Sequence, residues 1–155
     1  MKWDLPERTE DAIVAYLKAE CTGSLRISAA WERDEMEYPA VLVHVVDDKP
    51  VSEEAEWDDN RECVVEVAVI TEGAHELNLE TGETVRSARE INAIARSSVM
   101  DALFVPDLLA RIVAQGVADI AFSMMQFSGS ERSTEDRNLI TTITGTAIVE
   151  PVTGS

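Results

Sequence analysis

The stretch RECVVEVAVIT, Arg61 to Thr71, alternates in the way that a β-strand does. Its odd-numbered positions from 63 to 69 are all apolar, whereas glutamates at positions 62 and 66 interrupt the other face. Because successive side chains of a strand point to opposite faces, the pattern predicts one buried face and one wetter face. That combination is typical of an antiparallel sheet.

Toward the N-terminus, Ala40 to Val46 is apolar on both faces and forms the natural neighbour of this strand, since adjacent elements often pair. Residues Asp47 to Asn60 between them are highly charged and predict a loop. Leu25 to Trp31 alternates more weakly and predicts a further strand. Pro6 to Glu20 has apolar residues at helical spacing and acidic residues early, which predicts a helix that stops at Gly23.

Toward the C-terminus, Thr84 is the candidate cap of a long helix. We expect its core face to contain, with Ile94 and Leu103 alongside, Ala88, Ile91, Ala95, Val99 and Ala102. After Pro106 a shorter helix is expected to end at Gly116, with the apolar stripe Leu108, Leu109, Ile112 and Val113.

The last third predicts a β-hairpin. Ile120, Phe122 and Met124 alternate with their neighbours, Gly129 to Arg137 is a polar loop, and Leu139 to Val149 is a Thr- and Ile-rich return strand. We therefore expect an α+β fold, a mixed and mainly antiparallel sheet of about five strands with helices packed on one face, in the order α-β-β-β-α-α-β-β. No linker or repeat is visible, so residues 1–155 are expected to form a single domain.

The chain is strongly acidic, with 30 Asp and Glu against 13 Lys and Arg in 155 residues. Binding nucleic acid along an external face needs clustered Lys and Arg, so this composition argues against it and against docking on anionic membranes. No secretory signal and no stretch near the length of a membrane span is apparent. We expect a protein made in the cytoplasm.

No catalytic motif is present: there is no phosphate-binding glycine loop and no nucleophile elbow, and the two histidines lie 31 positions apart. We expect no enzymatic activity, no cofactor and no metal. Neighbouring carboxylates at Glu53-Glu54 and Asp58-Asp59 leave a hard-cation site as an alternative, although the regular calcium-loop pattern is absent.

Two groups of residues are candidates for contact with partners. One is the acidic loop, whose Trp57 either folds back over the sheet or acts as a contact aromatic; its candidates facing a partner or a channel are Asp47, Asp48, Glu53, Glu54, Glu56, Trp57, Asp58 and Asp59. The other lies in the hairpin, where Met125 and Phe127 share the face opposite the expected core. The candidate subunit interface comprises Met125, Phe127, Arg132 and Arg137.

The order of elements resembles that of the tail-terminator and tail-completion, or neck, proteins of long-tailed bacteriophages. The resemblance rests on the N-terminal helix ERTEDAIVAYLKAE, the strand YPAVLVHVV, the acidic loop before RECVVEVAVI, the segment VPDLLARIVAQG and the closing LITTITGTAIVE. It covers most of the chain; residues 72–84 and those after Pro151 do not match.

The resemblance implies a structural virion protein of the tail or neck, assembled in the host cytoplasm. Such proteins form a ring, usually of six subunits, on the head-proximal end of the tail tube, where they end tube polymerisation and join the tail to the head-side connector. The implied partners are further copies of the chain, the tail tube protein and the connector protein, with DNA only passing through the channel and no membrane. Acidic residues lining such a channel would repel DNA phosphates. The alternatives are a head-tail connector subunit and a small acidic metal-binding domain.

Overall fold

The computed structural model describes residues 4–21, 25–30, 39–51, 60–72, 87–116, 120–135 and 137–151. These residues form helices α1 (Leu5–Glu20), α2 (Ala88–Leu103) and α3 (Leu108–Val113) and strands β1 (Arg26–Ala29), β2 (Ala40–Pro50), β3 (Arg61–Glu72), β4 (Ile120–Glu135) and β5 (Asn138–Pro151). The predicted α+β class, the mixed five-stranded sheet and the element order are confirmed.

The five strands lie side by side in the order β1-β2-β3-β5-β4. Only β1 and β2 run parallel; every other neighbouring pair is antiparallel. The strand that alternates most regularly, β3, therefore occupies the centre of the sheet, and the long strand β4 occupies one edge.

The central strand has one fully buried face, as its alternation predicts. Cys63, Val65, Val67 and Val69 have no solvent-accessible surface. Across the ladder, β5 continues this face with Ile143 opposite Val67. The buried faces of α1, α2 and α3 join these residues in one hydrophobic cluster. The side chains on the opposite sheet face of β3 are mostly half-exposed.

The helix α2 begins at a different residue from the one predicted. Ser87 is its N-cap and accepts a hydrogen bond from the Glu90 N–H at 3.2 Å, while Thr84 lies outside the described residues. Ile94, expected beside the core, is 53% exposed, and Val113 of α3 is 54% exposed. The face of α2 that packs on the sheet includes the buried polar residue Asn92.

Asn92 holds α2 to two strands. Its side-chain amide donates to the Thr71 hydroxyl at 3.1 Å and to the carbonyls of Val69 and Leu139 at 3.4 Å each. Its oxygen accepts from the Thr141 hydroxyl at 3.0 Å. Buried polar groups are tolerated where their partners are supplied, so this network fixes the position of α2 over β3 and β5.

Strands extend into both predicted loops. The strand β2 continues to Pro50, so the first four residues of the loop expected from Asp47 to Asn60 are strand, while residues 52–59 lie outside the described part of the chain. The strand β4 continues to Glu135, so most of the loop expected from Gly129 to Arg137 is strand. Both extensions are largely polar and are at least partly exposed. Ladder pairing with β3 and β5 orders them without requiring apolar side chains.

A β-bulge between Phe122 and Met124 corrects the prediction for β4. A one-residue bulge inverts the facing of every later side chain, so Met125 and Phe127 point into the core and are 8% and 4% exposed. The sequence-based assignment of these two residues to a subunit interface is therefore wrong. Their apolar surface is already buried within the chain.

The space for Phe127 is made by Gly145, its ladder partner on β5. A Cβ at Gly145 would lie 2.6 Å from the Phe127 ring and 2.8 Å from the Gln126 carbonyl oxygen. The aromatic ring of Phe127 therefore packs directly over Gly145, and the two residues form the part of the core next to the edge strand β4.

We expect Gly145→Ala to lower the free energy of unfolding by about 1–3 kcal/mol, because the ring and the β4 backbone must move to admit the methyl group. Urea denaturation measures this change. Gly129→Ala is the matched control, since a Cβ there meets no atom within 4 Å. Equal stability of the two variants would contradict the packing described.

Candidate functional site

The sheet face opposite the helices is half-exposed along the middle of β3 and exposed at Asp47 and Glu131, whereas Ala40 and Ile70 on the same face are buried. Ladder register identifies its members, because paired residues of neighbouring strands share a face. We call it the open face; on the four strands β2, β3, β5 and β4 its centre is formed by Leu42, His44, Val64, Glu66, Ala68, Thr142, Thr144, Thr146, Gln126 and Gly129.

The open face is acidic. Its described carboxylates outnumber its cations by seven to two, the cations being Arg26 and Lys49. The carboxylates are Asp47, Glu62, Glu66, Glu72, Glu131, Glu135 and Glu150. The side chains between these carboxylates include the small residues threonine and alanine. Phosphate groups approaching the open face therefore meet a negative electrostatic potential and few hydrogen-bond donors.

A bulge between Val45 and Asp47 precedes the first two candidate acidic residues and determines which face each of them takes. Asp47 lies on the open face opposite Val64 and is exposed, as a partner-facing or channel-facing residue must be. Asp48 turns to the helix side opposite Cys63. Alternation along the strand therefore gives the two neighbouring carboxylates different surroundings, and the bulge sets which of them lies on the open face.

Asp48 is committed to a structural ion pair. Its Oδ1 accepts from the Arg61 Nε at 3.1 Å and from the second guanidinium nitrogen, Nη2. Arg61 is 8% exposed. Removing Asp48 would leave a buried arginine without this counter-charge. The Asp48 side chain is itself 23% exposed, and its assignment to a partner-facing or channel-facing surface stays a prediction.

Glu10 of α1 accepts a hydrogen bond from the backbone beside this bulge. The Val45 N–H donates to Glu10 Oε2 at 2.7 Å, and Glu10 is 8% exposed. Desolvation raises the pKa of the Glu10 carboxyl above its usual range, and the hydrogen bond from Val45 opposes that shift. The carboxylate therefore supplies an acceptor to the bulge while its charge opposes folding at neutral pH.

We expect Glu10→Gln to be at least as stable as the parent at pH 7, because the amide oxygen keeps an acceptor for Val45 without a buried charge. With a raised folded-state pKa, the parent gains stability from protonated Glu10 below the ordinary carboxyl pKa. It loses that stability as pH rises through the folded-state pKa. The advantage of Glu10→Gln should therefore shrink toward pH 4 in thermal melts.

Glu10→Ala is the companion variant. It leaves the Val45 N–H without its acceptor and should lower the free energy of unfolding by about 1–3 kcal/mol. If Glu10→Gln were as damaging as Glu10→Ala at pH 7, the charge of Glu10, not its acceptor oxygen, would be what the fold requires.

The other predicted acidic candidates, Glu53, Glu54, Glu56, Trp57, Asp58 and Asp59, lie outside the described residues. Arg132 and Arg137 are both described and exposed. Arg132 lies on the helix side of β4 opposite Thr141, and Arg137 lies in the turn to β5 with φ 69°. The structure separates these arginines from Met125 and Phe127, which it buries.

Met125 and Phe127 form the floor of an apolar groove of about 370 Å³ between β4 and the α2–α3 turn. Its rim includes Phe104, which is 44% exposed, and Leu109. The groove carries no ionisable side chain, so it offers shape and apolar area without a chemical group for catalysis.

Residues with reactive or metal-binding side chains are dispersed. Within the described ranges there is no group of three or more His, Cys, Asp or Glu placed to hold a metal ion. Burial raises the pKa of the Cys63 thiol to about 11 and also raises that of the Cys21 thiol. Both thiols therefore remain protonated, and weakly nucleophilic, at neutral pH.

None of the helices in the described part of the chain is both long and apolar enough to cross a membrane. No protein-family model matches the chain, and no curated protein matches it.

Proposed function

We propose that the chain is a structural subunit of a phage tail that assembles into a ring, of about six copies, at the head-proximal end of the tail tube. There it ends tube polymerisation and joins the tail to the head-side connector. Its partners are further copies of itself, the tube protein and the connector protein, and DNA only passes through the ring. Its place is the tail or neck of the virion.

The observation that carries the proposal is the acidic open face. An uncovered sheet with seven carboxylates and two cations suits a surface along which DNA slides without binding, because phosphates are repelled and counterions are not released. The ring is inferred from the resemblance in element order. The open face supports the inference that part of this subunit lines the channel of such a ring.

The edges of the sheet support assembly. The 16-residue strand β4 lies at one edge, and residues 131–135 are exposed on both sides. Edges of this length are usually blunted by proline, by charged side chains or by bulges; β4 has no proline or lysine, but it has two bulges and three charged residues. Contacts between copies made through such an edge are compatible with a closed ring.

A head-tail connector subunit remains the second candidate, because the same open face would suit any ring that DNA crosses. The two roles differ in their partner. A terminator binds the end of the tube, so a virus that lacks it should produce tubes of uncontrolled length. A virus that lacks a connector subunit should produce tails of normal length that do not join heads.

The channel assignment predicts a selective effect of neutralising the open face. The triple variant Glu62→Gln, Glu66→Gln and Glu131→Gln should fold normally, because these carboxylates are partly or fully exposed. It should lower virion yield at least tenfold when it replaces the gene in its virus, because DNA would be retained in the channel.

The control neutralises Glu7, Glu20 and Asp101, three exposed carboxylates of the helices. It changes net charge equally and should leave yield near normal. A normal yield from the open-face variant, or an equal loss from the control, would remove the support that the acidic face gives to this function.

Assembly should also respond to ionic strength. Subunits with a net charge of −17 repel one another at close range, and salt or magnesium screens that repulsion. We expect the oligomeric fraction in light scattering to rise when sodium chloride increases from about 20 mM to about 150 mM. An oligomeric fraction that ignores salt would contradict this account of the charge.

A further inference from the structure

The edge strand β4 borders the apolar groove along four consecutive residues. Met125 and Phe127 point to the helix side and form the floor of the groove. Met124 and Gln126 line it as well, although ladder register places their side chains on the open face. A groove on the helix side meets such residues at the outer edge of the strand. The groove therefore runs along that edge, and the residues that line it all belong to the described part of the chain.

The backbone beside the groove can extend the sheet. The strand β4 is last in the order β1-β2-β3-β5-β4, so the N–H and C=O groups of its alternate residues point away from β5 and from the other described strands. Gln126 and Ser128 are exposed on this part of the strand. An extended segment that pairs with such an edge gains main-chain hydrogen bonds, and its alternate side chains enter pockets on one face. Edge and groove together offer both parts of a site for strand addition.

The two bulges of β4 limit where such a segment can pair. They lie between Phe122 and Met124 and between Phe127 and Gly129, so they bracket the four residues beside the groove. A bulge interrupts the ladder and protects an edge from indiscriminate pairing. Pairing over so short a stretch is weak by itself. A segment without apolar side chains for the groove would therefore bind poorly.

The two faces of an added strand would meet different surroundings. On the helix side it meets the groove, which carries no ionisable side chain. On the open face it lies between Glu131 at one end and Glu150, the ladder partner of Ala121, at the other. Both glutamates are exposed. Neighbouring strands lie about 4.8 Å apart, so Glu131 is one strand spacing away and Glu150 is two, within reach of long basic side chains.

We propose that the groove and the adjoining edge of β4 bind an extended segment of a different protein, in which apolar residues alternate with Lys or Arg. The apolar side chains of that segment enter the groove, and its backbone pairs with residues 124–127. Its basic side chains lie on the open face with Glu131 and Glu150. Opposite charge also favours its encounter with a chain of net charge −17.

The sequence argues against a second copy of this chain as the occupant. Its 13 Lys and Arg are dispersed, and no two of them lie two positions apart. A strand formed by these residues therefore cannot present cations at successive positions of one face. A second copy would also bring a further net charge of −17 to an acidic surface.

This inference goes beyond the proposed ring, because it concerns a partner of different sequence. The binding site itself does not depend on that function. Within the proposed tail, the segment would belong to the tube protein or to the connector protein. Contacts between copies can use the outer residues of β4, 132–135, which lie beyond the bracketed stretch.

The first test measures the binding of a synthetic peptide to the full chain by fluorescence anisotropy. The peptide alternates four valines with four lysines, and the control peptide has the same residues in two blocks, so charge and composition are equal. We expect the alternating peptide to bind about tenfold more tightly, because only alternation gives a strand one apolar and one basic face. Equal binding of the two peptides would overturn the inference.

Methylation of the peptide backbone tests strand pairing itself. Two further peptides carry N-methyl groups on all valines or on all lysines, and each loses the N–H donors of one side of the strand. Only one side of a paired strand faces β4, so one methylated peptide should bind about tenfold more weakly and the other should bind like the unmethylated peptide. If both bound equally, strand pairing would be excluded and the inference overturned.

Matched substitutions test the groove. Phe104→Glu places a charge on its rim, and Val113→Glu places the same charge on an exposed apolar residue of α3 that does not line it. Phe104→Glu should weaken binding of the alternating peptide about tenfold and Val113→Glu should not, because only the former puts a charge beside the bound apolar side chains. Circular dichroism verifies that both variants fold. Equal affinities of the two variants would contradict binding in the groove.

The contribution of charge is measured with a second pair of variants. Glu131→Gln combined with Glu150→Gln should weaken binding by about threefold, as expected for exposed ion pairs. Glu7→Gln combined with Glu20→Gln changes net charge equally on α1 and should leave the affinity near that of the parent. Equal losses from the two double variants would show that only net charge acts, and would contradict the assigned position of the basic side chains.

The outcomes separate this inference from the proposed function. Closed rings formed by a chain that does not prefer the alternating peptide would overturn the inference and leave the function standing. Specific peptide binding by a chain that forms no ring would support the inference and contradict the ring. Self-association that Phe104→Glu abolishes, without peptide binding, would identify a second copy as the occupant and overturn the inference.

Discussion

The three helices pack against one face of the sheet, α1 mainly against β1 and β2, α2 against β3 and β5, and α3 against β4. The burial of that face determines what the remaining surfaces can do. Cys63, Val65, Val67 and Val69 are fully buried there, and Asn92 and Tyr16 tie the helices to the sheet and to one another. Apolar area removed from water is the main favourable term in folding, and here it lies on one side of the sheet. The opposite side is therefore free to carry charge.

Bulges decide which residues reach which side. The bulge in β2 places Asp47 on the open face and Asp48 against Arg61, and the first bulge in β4 turns Met125 and Phe127 into the core. A second irregularity between Phe127 and Gly129 precedes the straight outer part of β4, where Arg132 lies on the helix side. Single-residue insertions thus distribute side chains between the core and the acidic face.

The sequence predicted the fold where hydrophobic periodicity was strong. Alternation in β3 and helical spacing in α1 identified both elements within a residue or two of their ends. It failed where a bulge shifts the period, because a facing inferred by counting from Phe122 is inverted at Met125. It also failed where pairing orders polar residues, as in the outer half of β4, since a polar strand and a loop have the same composition.

The candidate site was predictable only in part. The glutamates of the open face at positions 62 and 66 follow from the alternation of β3, but Glu131 does not, because its segment was taken for a loop.

A sheet with one buried face and one acidic face suits the subunit of the ring around DNA that we propose. Electron microscopy of the purified full chain tests this most directly. The account predicts closed rings of about six copies with the open faces of the sheets toward the channel. Rings lined by the helices, or particles no larger than a single chain at every concentration, would contradict it.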